Sequence, residues 1–117
     1  MTSKNVLVLN LNREPEFQPL LEGPPKTCGM RSGRVFLKPG QSIGQHSTHA
    51  HEETLVFLAG KGQALIGPDE KSCDIGAGKV LYIPPHTLHN MKNTGTEPLV
   101  YIFCVAPIQE NEGKEHE

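Results

Sequence analysis

The sequence predicts a small all-β domain, a sandwich or closed barrel of short strands, on three observations. Glycine and proline, 12 and 10 of 117 residues, interrupt most of the chain. No clear stripe of apolar residues at helical spacing is present. The apolar residues gather instead in short runs rich in Val, Ile, Phe and Tyr, each bounded by turn-forming residues, as strands are.

The first run in chain order is "VLVLNL" (6–11), read as an N-terminal strand. Residues 12–33 hold four prolines and little alternation, so 1–33 is expected to be a strand followed by an irregular arm. The barrel is expected over 34–108. Its strands are read at "RVFL" (34–37), "TLVFLA" (54–59), "QALI" (63–66), "KVLYI" (79–83) and "LVYIFCVA" (99–106). "TLVFLA" is apolar on both parities, which predicts a central strand covered on both sides. The "AGKG" break (59–62) predicts a tight hairpin. Residues 109–117 close the chain, and "NEGKEHE" reads as a charged tail that frays. By length this is a single domain, large enough for its own core.

Composition narrows the partners. Lys and Arg number 11 against 13 Asp and Glu, a formal charge of −2, and no basic stripe appears. Nucleic acid and membrane are therefore not expected as partners. "VLVLNL" is too short for a signal-peptide core or a membrane span, so a soluble, cytoplasmic protein is expected. Cys28, Cys73 and Cys104 are odd in number and widely spaced, which argues against a disulfide framework or a thiolate zinc site. Cys104 reads as a small buried apolar residue.

Five of the six histidines fall in two clusters, His46, His49 and His51, then His86 and His89; His116 lies in the tail. Imidazoles with one carboxylate suit a divalent transition metal such as Fe, Mn, Ni, Zn, Co or Cu. An all-oxygen set would have pointed to Ca or Mg. His49, His51 and Glu53 share a parity. On a straight strand three such positions span about 13 Å, too far for one ion about 2.0–2.2 Å from each donor. Either a turn falls within this run or at most two of the three are ligands. A partnerless interior Glu53 would cost several kcal/mol, a penalty that a metal or a cationic ligand removes. The alternative for Glu53 is an exposed hairpin glutamate. Glu52, of opposite parity, reads as a solvated charge and His86 as a rim residue. Tyr82 and Tyr101 are expected to pack with their hydroxyls at the surface. Asn93 and Thr87 are read as loop-closing residues, and Arg31 and Arg34 as surface charges.

Two stretches resemble the paired motifs of the cupin superfamily, the small double-stranded β-helix (jelly-roll) barrels. The first motif runs Gly, five residues, His-x-His, three or four residues, Glu, six residues, Gly. "PGQSIGQHSTHAHEETLVFLAG" places Gly40, His46, His49, Glu53 and Gly60 on that pattern, with His-x-His stretched by one residue into "HSTH". The second runs Gly, five residues, Pro-x-Gly, two residues, His, three residues, Asn. "GKVLYIPPHTLHNMKN" supplies Gly78, Pro84, His89 and Asn93, with His86 in place of the motif's glycine.

The resemblance implies an all-β cupin barrel holding one divalent metal on two histidines and a glutamate from the first motif and a histidine from the second. Carried over by position, these are His46, Glu53 and His89, with His49 or His51 competing for the remaining place. It also implies a homodimer with an exchanged N-terminal strand, a role "KNVLVLNL" fits by analogy. The expected partner is a small molecule inside the barrel. The protein is then either a metal-dependent enzyme or a non-catalytic binding or sensing module, and a metal-free scaffold with a histidine pH switch is a third reading. The fold does not choose among them.

Overall fold

The computed structural model describes residues 4–110; the "NEGKEHE" tail with His116 lies outside the described residues. Among the described residues the chain forms strands and no helix. These are β1 (Gln18–Glu22), β2 (Arg31–Leu37), β3 (His46–Ser47), β4 (His51–Ala59), β5 (Lys61–Ile66), β6 (Lys71–Gly76), β7 (Val80–Ile83), β8 (Leu88–Lys92) and β9 (Leu99–Pro107). They make two sheets in the orders β1-β2-β9-β4-β7 and β3-β8-β5-β6, and every strand pairing is antiparallel.

The core lies between the sheets. Leu55 and Phe57 of β4 and Leu99 and Tyr101 of β9 meet Ala64, Ile75 and Met91 of the smaller sheet, all nearly or wholly buried. Each large side chain of this kind contributes about 1.5–3 kcal/mol through removal from water. The inward positions of β4 read His51, Glu53, Leu55, Phe57, polar at one end and apolar at the other, and β8 repeats the gradient with His89 and Met91. One end of the sandwich is therefore dry core. The other is lined by imidazole and carboxylate.

Several element expectations are corrected. "TLVFLA" lies in a strand, but only one face is covered: Val56 and Leu58 are 40% and 45% exposed. A sandwich of two sheets has one interior, and the outer face of β4 does not lie in it. "AGKG" is not a hairpin. β4 pairs with β9 and β7 while β5 pairs with β6 and β8, so the chain changes sheets at Gly60. Gly60 has φ +82°, and a Cβ there would stand 2.2 Å from the Pro98 carbonyl oxygen, so only glycine passes. "VLVLNL" belongs to no strand. Leu7 and Leu9 lie beside Leu20 and Leu21, while Val6 and Val8 are almost fully exposed. The edge of β2 is taken instead by β1, which falls inside the stretch read as an irregular arm.

Arg34 is not a surface charge. It is buried on the outer face of β2 and donates to the backbone carbonyls of Asn12, Glu14 (2.8 Å) and Glu16 (2.9 Å), clasping the arm to the sheet. Arg34→Met is expected to cost about 1–2 kcal/mol, because the freed carbonyls can turn to water. Tryptic cleavage after Arg13 should accelerate, read by limited proteolysis; unchanged cleavage would show that the clasp does not hold the arm.

Candidate functional site

The polar ends of β4 and β8 open on a cavity of about 630 Å³. Its lining includes His46, His49, His51, Glu53 and His89, so the topology brings the five candidate ligands to one space. His86 does not line it; its ring sits at the surface against Glu110. The first histidine cluster meets the second because β3 pairs with β8, with His46 directly opposite His89. Their ring centroids are 4.1 Å apart, edge to face.

A tight turn follows β3, closed by the His51 N–H donating to the Thr48 carbonyl at 3.1 Å. His49 sits in it with φ +52°. The turn falls within the histidine run, which the straight-strand distance requires if more than two of its members are to converge. It reverses the chain, so His46 comes from one sheet and His51 and Glu53 from the other.

Thr48 holds this arrangement together. It is buried, its hydroxyl donates to the Pro84 carbonyl at 2.7 Å, and it accepts from the Thr87 N–H at 3.1 Å. The Thr87 carbonyl accepts from the Thr48 N–H at 3.2 Å and from His89 Nδ1 at 3.0 Å. One backbone unit thus ties the histidine turn to the ring of His89. Asn93 closes the loop after β8, donating to the Leu37 and Glu97 carbonyls and accepting from the Gly95 N–H, the loop-closing role expected of it.

His89 is 1% exposed, and its Nε2 lies 3.3 Å from Glu53 Oε1. That approach lacks hydrogen-bond geometry, and among the described residues Nε2 makes no hydrogen bond. Burial disfavours the charged ring, but Glu53 and the Thr87 carbonyl outweigh it and hold the His89 pKa above the usual 6.5. With Nδ1 donating to Thr87, the neutral ring keeps its lone pair on Nε2. His46 has the same tautomer logic, its Nδ1 lying 2.9 Å from the Gly44 carbonyl. Two imidazoles fixed through Nδ1 by backbone carbonyls, beside a buried carboxylate, fit a divalent metal by the chemistry of the donor set. Among the described residues, however, no three His, Cys, Asp or Glu side chains form a closed metal-holding group as they stand.

Tyr101 departs from expectation. It is 1% exposed, lines the cavity, and its hydroxyl has no hydrogen-bond partner among the described residues. Burial, helped by the charge on Glu53, pushes its pKa far up, so the hydroxyl stays neutral and available as a donor. Tyr82 does lie at the surface, donating to Glu52 at 2.9 Å. Cys104, expected to be buried, is half-buried on β9; burial and Glu53 raise its thiol pKa, in line with an unreactive residue. Arg31 is exposed, as a surface charge is expected to be, and it also lines the cavity from β2. The sequence signal for it was available only after the fact: Arg31 shares the parity of Val35, a residue of the inner face.

Comparison with known proteins adds the family. Residues 33–105 match the cupin domain family, more than half of the chain. The uncharacterized protein MJ1618 of Methanocaldococcus jannaschii is 33% identical over 70 residues, 60% of this chain and 54% of that protein. A glucose-6-phosphate isomerase of Pyrococcus abyssi is 35% identical over 60 residues, 49% of this chain and 32% of the isomerase. The chain thus matches about half or less of the length of these two relatives. An RmlC-like cupin family protein of Methanocaldococcus jannaschii, with a double-stranded β-helix fold, superposes with a TM-score of 0.70. It is 17% identical, with 87% of this chain and 91% of that one covered, and shows the fold alone. With the motif-bearing strands, the two antiparallel sheets and the match over 33–105 all in agreement, the chain belongs to the cupin family.

Proposed function

We propose that the protein is a metal-binding cupin that holds one divalent transition metal in its barrel and acts on or binds a small molecule there. His46, Glu53 and His89 would hold the ion, with His51 or His49 completing the set. The observation that carries the reading is the buried Nε2 of His89, 3.3 Å from Glu53 Oε1 and without a hydrogen bond among the described residues, on a ring oriented by the Thr87 carbonyl. A buried imidazole nitrogen without a partner is costly unless something occupies its lone pair. The ion, when bound, would supply Lewis acidity for polarising an oxygen of the small molecule. The chain's own part is to hold Nδ1 protonated on both rings, to keep Glu53 buried and to line the cavity with apolar walls that limit water.

A homodimer belongs to this proposal. The outer face of β4 and β7 exposes Val56, Leu58, Val80 and Tyr82, and Val6 and Val8 stand free at the N-terminal side. The three free cysteines agree with a reducing, cytoplasmic setting. No helix among the described residues is long and apolar enough to cross a membrane.

The test is elemental analysis of untagged protein across pH. Stoichiometric metal is expected near neutrality and is lost as pH falls through the His89 pKa, because protons compete for Nε2. The metal-free protein should trend the other way. A folded pKa raised above the unfolded value contributes stability that is complete below about 6.5 and lost as pH rises through the folded value. His49→Ala and His51→Ala, made separately, identify the remaining ligand by which one loses metal. A full metal complement retained in Glu53→Ala would remove the proposal.

A further inference from the structure

The cavity has a second set of groups that the metal reading does not use. Arg31 lines it from an exposed position on β2, and its guanidinium is seated rather than loose. Nη1 donates to the Glu22 carbonyl at 3.2 Å, and a Cβ added at Gly23 would come within 3.1 Å of Cζ and Nη2. Gly23, at φ +89°, leaves the space the guanidinium fills. Among the described residues Arg31 has no ion-pair partner. Tyr101 lines the same cavity, and its hydroxyl is buried behind that wall with no hydrogen-bond partner among the described residues. Phe103 lies in the row between the two and Val35 directly opposite Tyr101, both lining the cavity with apolar surface.

We propose that the cavity takes a small organic acid bearing a second, neutral oxygen. Its carboxylate would be held by Arg31, its apolar body by Val35 and Phe103, and its carbonyl or hydroxyl oxygen by a hydrogen bond from Tyr101. This names the ligand class for the site proposed above and rests on that cavity being the ligand site. Charge fixes the orientation. Glu53 repels an anion from the interior, whereas Arg31 lies two strands away in the same row, opposite Val105, which is itself opposite Glu53. A guanidinium offers paired donors to a carboxylate, and a buried hydroxyl with nothing to bond to gains a full hydrogen bond from the ligand. Tyr101→Phe keeps the fold, because the hydroxyl has no partner to lose.

The experiment is calorimetric titration of the full chain, as purified and after chelation. The probes are oxo acids with the carbonyl one to four carbons from the carboxylate, the parent acids lacking the carbonyl, and the corresponding amides. At one chain length the oxo acid is expected to bind about tenfold tighter than its amide and about tenfold tighter than the parent acid. Arg31→Met should erase the first preference and Tyr101→Phe the second. Equal binding of acid and amide, preferences that survive both substitutions, or no binding by any probe overturn the inference. Binding that vanishes on chelation and ignores Arg31→Met assigns the acid to the ion and overturns it too. Preferences that persist in chelated protein support the acid site whether or not a metal is retained. A retained metal without acid preference overturns the acid site alone.

Discussion

His89→Ala is expected to lower metal affinity at least about 100-fold, more than removing a group that merely orients a ligand does. The same change should destabilise the metal-free protein by about 3 kcal/mol. The ring is 1% exposed, at the border between the polar end and the dry core, and Met91 follows it on the same face of β8. Deleting it leaves a void against His46 and strips buried Glu53 of the imidazole 3.3 Å away. The two losses are read separately, by metal-to-protein ratio in untagged protein and by urea unfolding after chelation. A variant that loses stability but keeps its metal would remove His89 from the ligand set and leave it a core residue.

Thr48→Val comes next in size. The substitution keeps the shape and deletes a hydroxyl that donates to Pro84 and accepts from Thr87. Both backbone groups would be left without that partner, at a cost of about 2 kcal/mol. The Thr87 carbonyl orients His89, and Thr48 opens the turn that carries His49 and His51, so metal affinity should also fall about 10–100-fold. Thr48→Ser, which retains the hydroxyl, should recover most of both effects. Should Val and Ser variants retain metal equally, Thr48 would be a packing residue with no influence on the site.

Thr48 illustrates why part of the site was illegible. A threonine between two histidines carries no chemical signal in a sequence, and its two partners lie more than thirty positions away. The inward direction of Tyr101, and the cavity side of the exposed Arg31, are illegible for a related reason. An amphipathic side chain in a short strand packs either way, and the direction is set by which face meets the other sheet. Parity within "RSGRVFL" separates Arg31 from Arg34 but does not say which of them turns inward. The same limit applies to the strands. β6 and β8 ("KSCDIG" and "LHNMK") have too few apolar residues to be read as strands, and pairing with β5 from both sides makes them so. "VLVLNL" has the right composition, but no ladder among the described residues receives it.

What the chain determines alone is local and chemical. Interrupted apolar runs exclude long helices, and the spacing of Gly40, Glu53, Gly60, Gly78 and His89 carries the family. The imidazole–carboxylate composition at the heads of β4 and β8 marks the end of the sandwich where chemistry can occur. What only the tertiary structure decided is convergence and burial: that β3 lies against β8, that the turn at Thr48–His51 folds the histidine run back, and that Tyr101 faces inward without a partner. These depend on contacts between residues distant in sequence. Their free energies arise from water exclusion and from hydrogen-bond geometry in the assembled sandwich, and neither exists in any single segment of the chain.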